Sequence, residues 1–276
     1  MKRHDPGPDA APEDAGDGAD RNFVTALARG FDVLRCFRPT DMTLGNHEIA
    51  ARTGLPKPTI SRLTYTLCKL GYLVHCDSDG SYRLGAGVLA LGYSALAGMD
   101  IADLAKEEMR KLCDGPNPYV TAALGERHRM QIVYMAVRRS TQAVSLTMEV
   151  GARLPLFHSA IGRAVLVAMS EAERAHMTHL AIEERPEQAA LIRQGVTDAQ
   201  EQYARHGFTT SFGSWRPEVN GIAVPVVSLS GDRIFGLNVG GPSFLVSPEV
   251  LINDYGPRLI AVAEEIGMQH RPRRDG

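Results

Sequence analysis

Residues 44–73, LGNHEIAARTGLPKPTISRLTYTLCKLGYL, narrow the folds open to this chain more than any other stretch. Asn46 is placed to cap a short helix running to Ala51, with Glu48 in its first turn. Gly54 can take the left-handed conformation that closes a helix, Leu55 can plug the turn, and Pro56 stops the first helix from continuing. Pro58 suits the opening turn of a second helix, where its missing N–H removes no hydrogen bond. Ile60, Leu63, Leu67 and Leu70 then recur at helical spacing and are expected to face inward. Two helices in a tight turn, the second opening Lys-Pro-Thr, form the pattern of a DNA-reading helix-turn-helix. The candidate DNA contacts on it are Lys57, Pro58, Thr59, Ser61, Arg62, Tyr65 and Lys69. Arg62 suits a guanine O6/N7 edge, whereas Ser and Thr suit a phosphate or either base type.

The stretch YLVHCDSDGSYRLG follows, with two short strands flanking a hairpin turn at Asp-Ser-Asp-Gly. A hairpin directly behind a recognition helix is the wing of a winged helix, and it brings Arg83 within reach of a phosphate or the minor groove. The whole chain carries a net charge of −2, yet residues 21–84 hold 9 Lys/Arg against 5 Asp/Glu. Phosphate contact needs local rather than overall positive charge, so this segment is the one suited to duplex DNA.

Residues 1–21 are acidic and lack any aromatic or β-branched residue, so they are expected to form a disordered tail. They contain no apolar stretch that would make a signal peptide, and no run in the chain approaches the roughly 18–20 apolar residues that span a bilayer. Cys36, Cys68, Cys76 and Cys113 form no CxxC pair. A cytoplasmic protein with reduced thiols and no membrane partner is the expectation.

At 276 residues the chain has room for two cored domains. Residues 22–85 make the DNA-binding domain, opened by a helix over 23–37 whose apolar positions 23, 24, 27, 31, 34 and 37 share one face. Residues 86–112 read as a linker helix with small residues that permit close packing, a candidate for self-association, with Gly92 and Gly98 as points of interruption. In residues 113–270, strands are expected at 119–124, 130–137, 143–150, 208–212, 221–229 and 233–240. Helices are expected at 160–169, 171–180, 197–206 and 248–268. That order implies an α+β domain on an antiparallel sheet. Residues 271–276 are a tail.

Four stretches together resemble the isocitrate lyase regulator (IclR) family of bacterial transcriptional regulators. They are ALARGFDVLRCF, IAARTGLPKPTISRLTYTLCKLGYL, YRLGAGVLALG, and GARLPLFHSAIGRAVLVAM with the distal VNGIAVPVVSLSGDRIFGLNVGGP. The resemblance spans residues 22–268. It implies an N-terminal winged helix-turn-helix and a C-terminal GAF-like effector-binding domain. It also implies dimers or tetramers on palindromic operators, and small-metabolite effectors, often carboxylates or aromatic acids. Many members carry paired acidic residues and a cysteine before the second conserved strand. Here the stretch is SWRPEVNGIAVP, with one Glu and no Cys, which leaves the effector class open.

The loop and helix GARLPLFHSAIGRA is the leading candidate for the effector site. Unpaired N–H groups at a helix start point toward an anion, which nominates Ser159, Ala160, Ile161 and Gly162. Trp215, Glu218 and Asn220 precede the strand at 221, and the Trp ring could close over an apolar ligand. Tyr134 on an earlier strand is a further candidate. His176 and His179 share a helical face without a third ligand, so neither a metal nor another cofactor is expected. The alternative reading is a small-molecule enzyme on the C-terminal domain with an accessory winged helix. It lacks a Gly-x-Ser-x-Gly elbow, an HExxH pair or a phosphate-binding Gly-rich loop ending in Lys-Ser/Thr.

Overall fold

The computed structural model describes residues 22–97, 100–142, 144–146, 148–228 and 233–269. Both expected tails and Gly98 lie outside them. The chain divides into two compact units at residues 98 and 99.

The N-terminal unit contains α1 (Thr25–Arg35), α2 (Asn46–Thr53), α3 (Lys57–Lys69), β1 (Leu73–Cys76), β2 (Ser81–Leu84) and α4 (Ala86–Ala97). Val33, Leu44, Ile49, Ile60, Leu67 and Leu73 form its core. Gly54 sits at φ 70° and its N–H closes α2 on the Ala50 carbonyl. The cap at the other end of α2 differs from expectation. Gly45 is the N-cap and Asn46 the first helical residue. Glu48 reaches back to accept the Gly45 N–H at 2.8 Å, the N3 half of a capping box. Leu70 is 62% exposed rather than inward: its N–H still bonds the Thr66 carbonyl in helical fashion, and ten residues at about 100° each turn it roughly 80° away from Ile60.

The hairpin pairs Cys76 with Ser81, and Asp79 Oδ1 accepts from both the N–H and the hydroxyl of Ser81. Leu44 adds a bridge to Tyr82 on the outside of β2. On α1 the apolar band is wider than this small core can take. Val33 is buried and Leu34 and Phe37 pack against the core, while Phe23, Val24, Leu27 and Phe31 stay exposed. The expected single linker helix is two segments, α4 and, in the second unit, α5 (Asp100–Cys113); Gly92 does not interrupt α4. No charged residue occurs in α4, yet Leu89, Leu91 and Tyr93 are exposed.

The C-terminal unit continues from α5 with β3 (Thr121–His128), β4 (Gln131–Arg138), β5 (Arg153–Pro155), α6 (Ala160–Ala168), α7 (Glu171–Glu184) and α8 (Ala189–His206). It closes with β6 (Thr209–Phe212), β7 (Val219–Val227), β8 (Ile234–Pro242), α9 (Pro248–Val250) and α10 (Gly256–Gln269). The strands make one antiparallel sheet in the order β5-β4-β3-β8-β7-β6. One helical layer, α5 and α10, packs on the sheet; α6 packs on it as well and carries α8, which carries α7.

The described residues within 143–150 form no strand. The edge of β4 is already taken: Tyr134 N–H donates to the Ala152 carbonyl, Gly151 N–H donates back to Tyr134, and β5 continues the pairing. Helix α8 starts eight residues before the expected 197. Gly195 weakens its sequence signal but is needed there, since a Cβ would lie 2.3 Å from the Phe157 carbonyl oxygen. The last expected helix is broken by one π turn, Leu251–Tyr255, between α9 and α10.

Candidate DNA interface and effector recess

One face of α3 is exposed and carries cations without an acid. At about 3.6 residues per turn, Pro58, Ser61, Arg62, Tyr65 and Lys69 come round to a single stripe. All five are exposed, while Ile60, Thr64 and Leu67 are buried opposite. Lys57 is exposed at the first turn and Thr59 is half-buried at the edge of the stripe. Arg83 is exposed on β2. Helix α3 carries no acid. The other acids among the described residues of this unit are engaged by close neighbours: Asp32 by Arg35, Asp41 by Arg52, Asp77 by His75, Asp79 by Ser81 and Glu48 by the Gly45 N–H. The Arg52 hydrogen bond also holds the Asp41 carboxyl below its usual range. Lys57, Arg62 and Arg83 have no such partner among the described residues, and Lys69 lies over the Tyr65 ring at 5.5 Å. The Ser61 hydroxyl donates to the Lys57 carbonyl at 3.1 Å, so toward DNA it offers only lone pairs.

In the second unit a recess opens beside the start of α6. It encloses about 30 Å³ within a solvent-open cleft of about 370 Å³. Tyr134, Ser159, Ala160, Ile161, Trp215 and Asn220 all line it. Gly162 and Glu218 do not. A Cβ on Gly162 would lie 2.2 Å from the Leu156 carbonyl oxygen, so its missing side chain serves packing rather than a ligand. Its N–H is taken by Ser159 Oγ at 3.1 Å. Glu218 is exposed, and its backbone carbonyl accepts the Ser243 N–H. The N–H groups of Ala160 and Ile161 are left without a partner among the described residues. Trp215 is half-buried, with the Arg216 guanidinium 4.7 Å from its ring centre.

Sequence reasoning missed Ser211, Gly221, Asn238 and Gly240 in the recess wall. Asn238 was detectable: it is the one side-chain amide in the strand Ile234–Pro242. Burial pushes the Tyr134 hydroxyl far above the usual phenol range, and a hydrogen bond from Asn238 opposes the shift. Tyr134 is therefore a neutral phenol, and among the described residues no charged side chain lines the recess. Ser159 and Ser211 donate their hydroxyls to the Pro155 and His158 carbonyls rather than to a base. Burial lifts the Cys36 and Cys113 thiols to about 11, which disfavours the thiolate that a nucleophile needs.

A winged helix-turn-helix joined on one chain to a second, sheet-based domain is the architecture of a DNA-binding transcriptional regulator. Known proteins agree. Residues 26–75 match the IclR helix-turn-helix domain, and residues 93–268 match the bacterial transcriptional regulator IclR C-terminal domain. The chain belongs to the IclR family. It is 30% identical to the HTH-type transcriptional regulator TsaQ1/TsaQ2 of Comamonas testosteroni, over 91% of this chain and 90% of that one. A crystal structure of an IclR family transcriptional regulator from Brucella abortus is 42% identical with a TM-score of 0.82, covering 94% of this chain and 97% of that one. An IclR homolog from Microbacterium hydrocarbonoxydans, solved in complex with 4-hydroxybenzoate, shares the fold at 22% identity and a TM-score of 0.68, covering 89% and 99%. Among the described residues no helix is long and apolar enough to cross a membrane.

Proposed function

We propose that residues 22–85 bind a palindromic operator as part of a cytoplasmic dimer or tetramer, through α3 and Arg83. A small carboxylate entering the recess of residues 113–270 then alters that binding. The acid-free, cation-bearing stripe of α3 carries the DNA half of this reading. Two half-sites are expected about one helical turn apart, or a multiple of that. Fluorescence anisotropy with DNA from upstream of the chain's own gene tests it. Arg62→Ala is expected to weaken operator binding by about 1–3 kcal/mol and to relax specificity at one base pair. An equal loss on every sequence would make Arg62 a phosphate contact instead. No salt-dependent binding to any fragment would overturn the DNA reading.

The partnerless N–H groups of Ala160 and Ile161 support the effector half, because a helix start favours a negative charge. With no cation among the described residues of the recess wall, a monoanion with an apolar body fits better than a polyanion. The bound 4-hydroxybenzoate of the Microbacterium homolog has that form. An interior volume of about 30 Å³ has room for about two water-sized groups, so an aromatic acid must extend from it into the open cleft of about 370 Å³, whose lining includes Trp215. Calorimetry with 4-hydroxybenzoate and 4-hydroxybenzamide on the full chain tests the charge. The amide is expected to bind more weakly, by up to about 2 kcal/mol. Equal or tighter binding of the amide would remove the anion from this reading.

Self-association has its own support. Leu27 and Phe31 on α1, Phe23 and Val24 just before it, and Leu89, Leu91 and Tyr93 on the uncharged α4 leave apolar surface exposed in a single chain, the usual mark of a protein contact. Leu89→Arg should halve the particle mass seen by light scattering. An unchanged mass would leave α4 outside the contact.

A further inference from the structure

The segment that follows β8 is gripped from both sides. Asn220, in the recess wall and 5% exposed, donates Nδ2 to the Val246 carbonyl at 3.0 Å. Asn117, four residues beyond the end of α5, donates Nδ2 to the neighbouring carbonyl, that of Leu245, at 2.9 Å. A third tie runs from the Ser243 N–H to the Glu218 carbonyl at 2.8 Å. Asn117 is in turn held by one buried hydroxyl: Tyr255 donates to its carbonyl and accepts its N–H, each at 3.0 Å. Asn117 Oδ1 also accepts the Tyr119 N–H at 3.0 Å.

The fit around Tyr255 is close. A Cβ at Gly115 would lie 2.8 Å from the Tyr255 hydroxyl and 2.9 Å from the Leu112 carbonyl in the last turn of α5. Tyr255 itself ends the π turn Leu251–Tyr255. Such turns hold an extra residue in an otherwise α-helical run, and they are frequent at functional positions. Hydrogen bonds and the backbone of Leu245 and Val246 therefore link the recess wall to Asn117, four residues past the C-terminal end of α5. That helix starts at Asp100, just past the division between the two units.

We propose that Asn220, Asn117 and Tyr255 are positioning residues that carry the state of the recess to the end of α5 through the carbonyls of Leu245 and Val246. The proposal rests on the recess being the effector site. The two amides bind consecutive carbonyls, whose peptide units meet at the Val246 Cα, so a shift of Val246 is felt at Leu245 within a single residue. A ligand that draws the Asn220 amide to itself loosens the Val246 grip, and the displacement reaches Asn117 and the α5 terminus.

Hydrogen exchange read by mass spectrometry on the full chain tests the path. Asn220→Ala, and the milder Asn220→Ser, are expected to raise exchange of the Asn117 and Tyr119 amides about three- to tenfold, the change expected for one hydrogen bond. Ser211→Ala, in the same recess but bonded to the His158 carbonyl, should leave those amides unchanged. In the reverse direction, Tyr255→Phe should raise exchange at the Ser243 and Val246 amides. Asn220 variants that move only the amides flanking 220 and 246 would overturn the proposal, as would a uniform rise across the central strands β3 and β8. No ligand enters this measurement, so loss of the path and loss of the effector reading are separate results.

Discussion

Gly162→Ala is expected to destabilise the C-terminal unit by about 3 kcal/mol, the upper end of what overpacking a well-filled core costs. The added Cβ would meet three backbone atoms of Leu156, its oxygen at 2.2 Å, its carbonyl carbon at 2.6 Å and its Cα at 2.7 Å. Backbone cannot swing aside as a long side chain can. Helix α6 must therefore lift from the loop that leads into it, and α6 is packed on the sheet and on α8. Urea unfolding followed by the fluorescence of Trp215, the chain's one tryptophan, reads this unit alone. An unaltered midpoint would show that α6 is free to shift at its start. The same geometry rules out Gly162→Val as a selective way to block the recess, because the clash faces Leu156 and not the ligand.

Arg163→Ala is expected to cost about 2–5 kcal/mol, from two buried carbonyls left without a donor. Arg163 is 5% exposed, and its Nε donates to the Phe157 carbonyl at 3.2 Å and its Nη1 to the Thr210 carbonyl at 2.8 Å. The third partner, Asp198, lies 3.3 Å from Nη2 but is partly open to water and also accepts from Gln194. Solvent therefore screens the ion pair, and the carbonyl bonds are expected to dominate. Burial draws the Arg163 pKa down, with Asp198 opposing it, but an arginine stays charged. Asp198→Asn should then cost less than about 1 kcal/mol in the same unfolding assay. If Asp198→Asn costs as much as Arg163→Ala, the ion pair rather than the carbonyl clamp holds the loop before α6.

The recognition helix is legible in the sequence because its information is local. Gly54, Pro56 and Pro58 punctuate the chain within five residues, and the period of Ile60, Thr64 and Leu67 separates a buried side from the side that carries Arg62 and Lys69. The wing follows from one turn. The recess was only partly legible. Ser159, Ala160 and Ile161 could be nominated because a helix start announces itself in sequence, and Trp215 and Asn220 because they sit just before a strand. Asn238 and Gly240 could not be joined to them from sequence alone. They come from β8, and only the sheet order, with β8 between β3 and β7, sets them beside Asn220 and Tyr134.

Glycine shows the limit most clearly. Gly162 and Gly195 are equally consistent in sequence with room for a ligand or room for backbone. The folded chain assigns both to packing, against Leu156 and Phe157. The apolar face of α1 is a second case. Periodicity finds the face but cannot tell whether the core is large enough to cover it, and here Phe23, Leu27 and Phe31 remain outside. What the sequence determines by itself are the elements and punctuation set by neighbours within a few residues: the helix-turn-helix, the hairpin and the antiparallel character of the second unit. What only the tertiary structure decides is which distant groups share a wall, which glycines face backbone, and how Asn117, Asn220 and Tyr255 come to hold one segment. Those contacts join residues as far as 138 apart in the chain, and no local pattern encodes them.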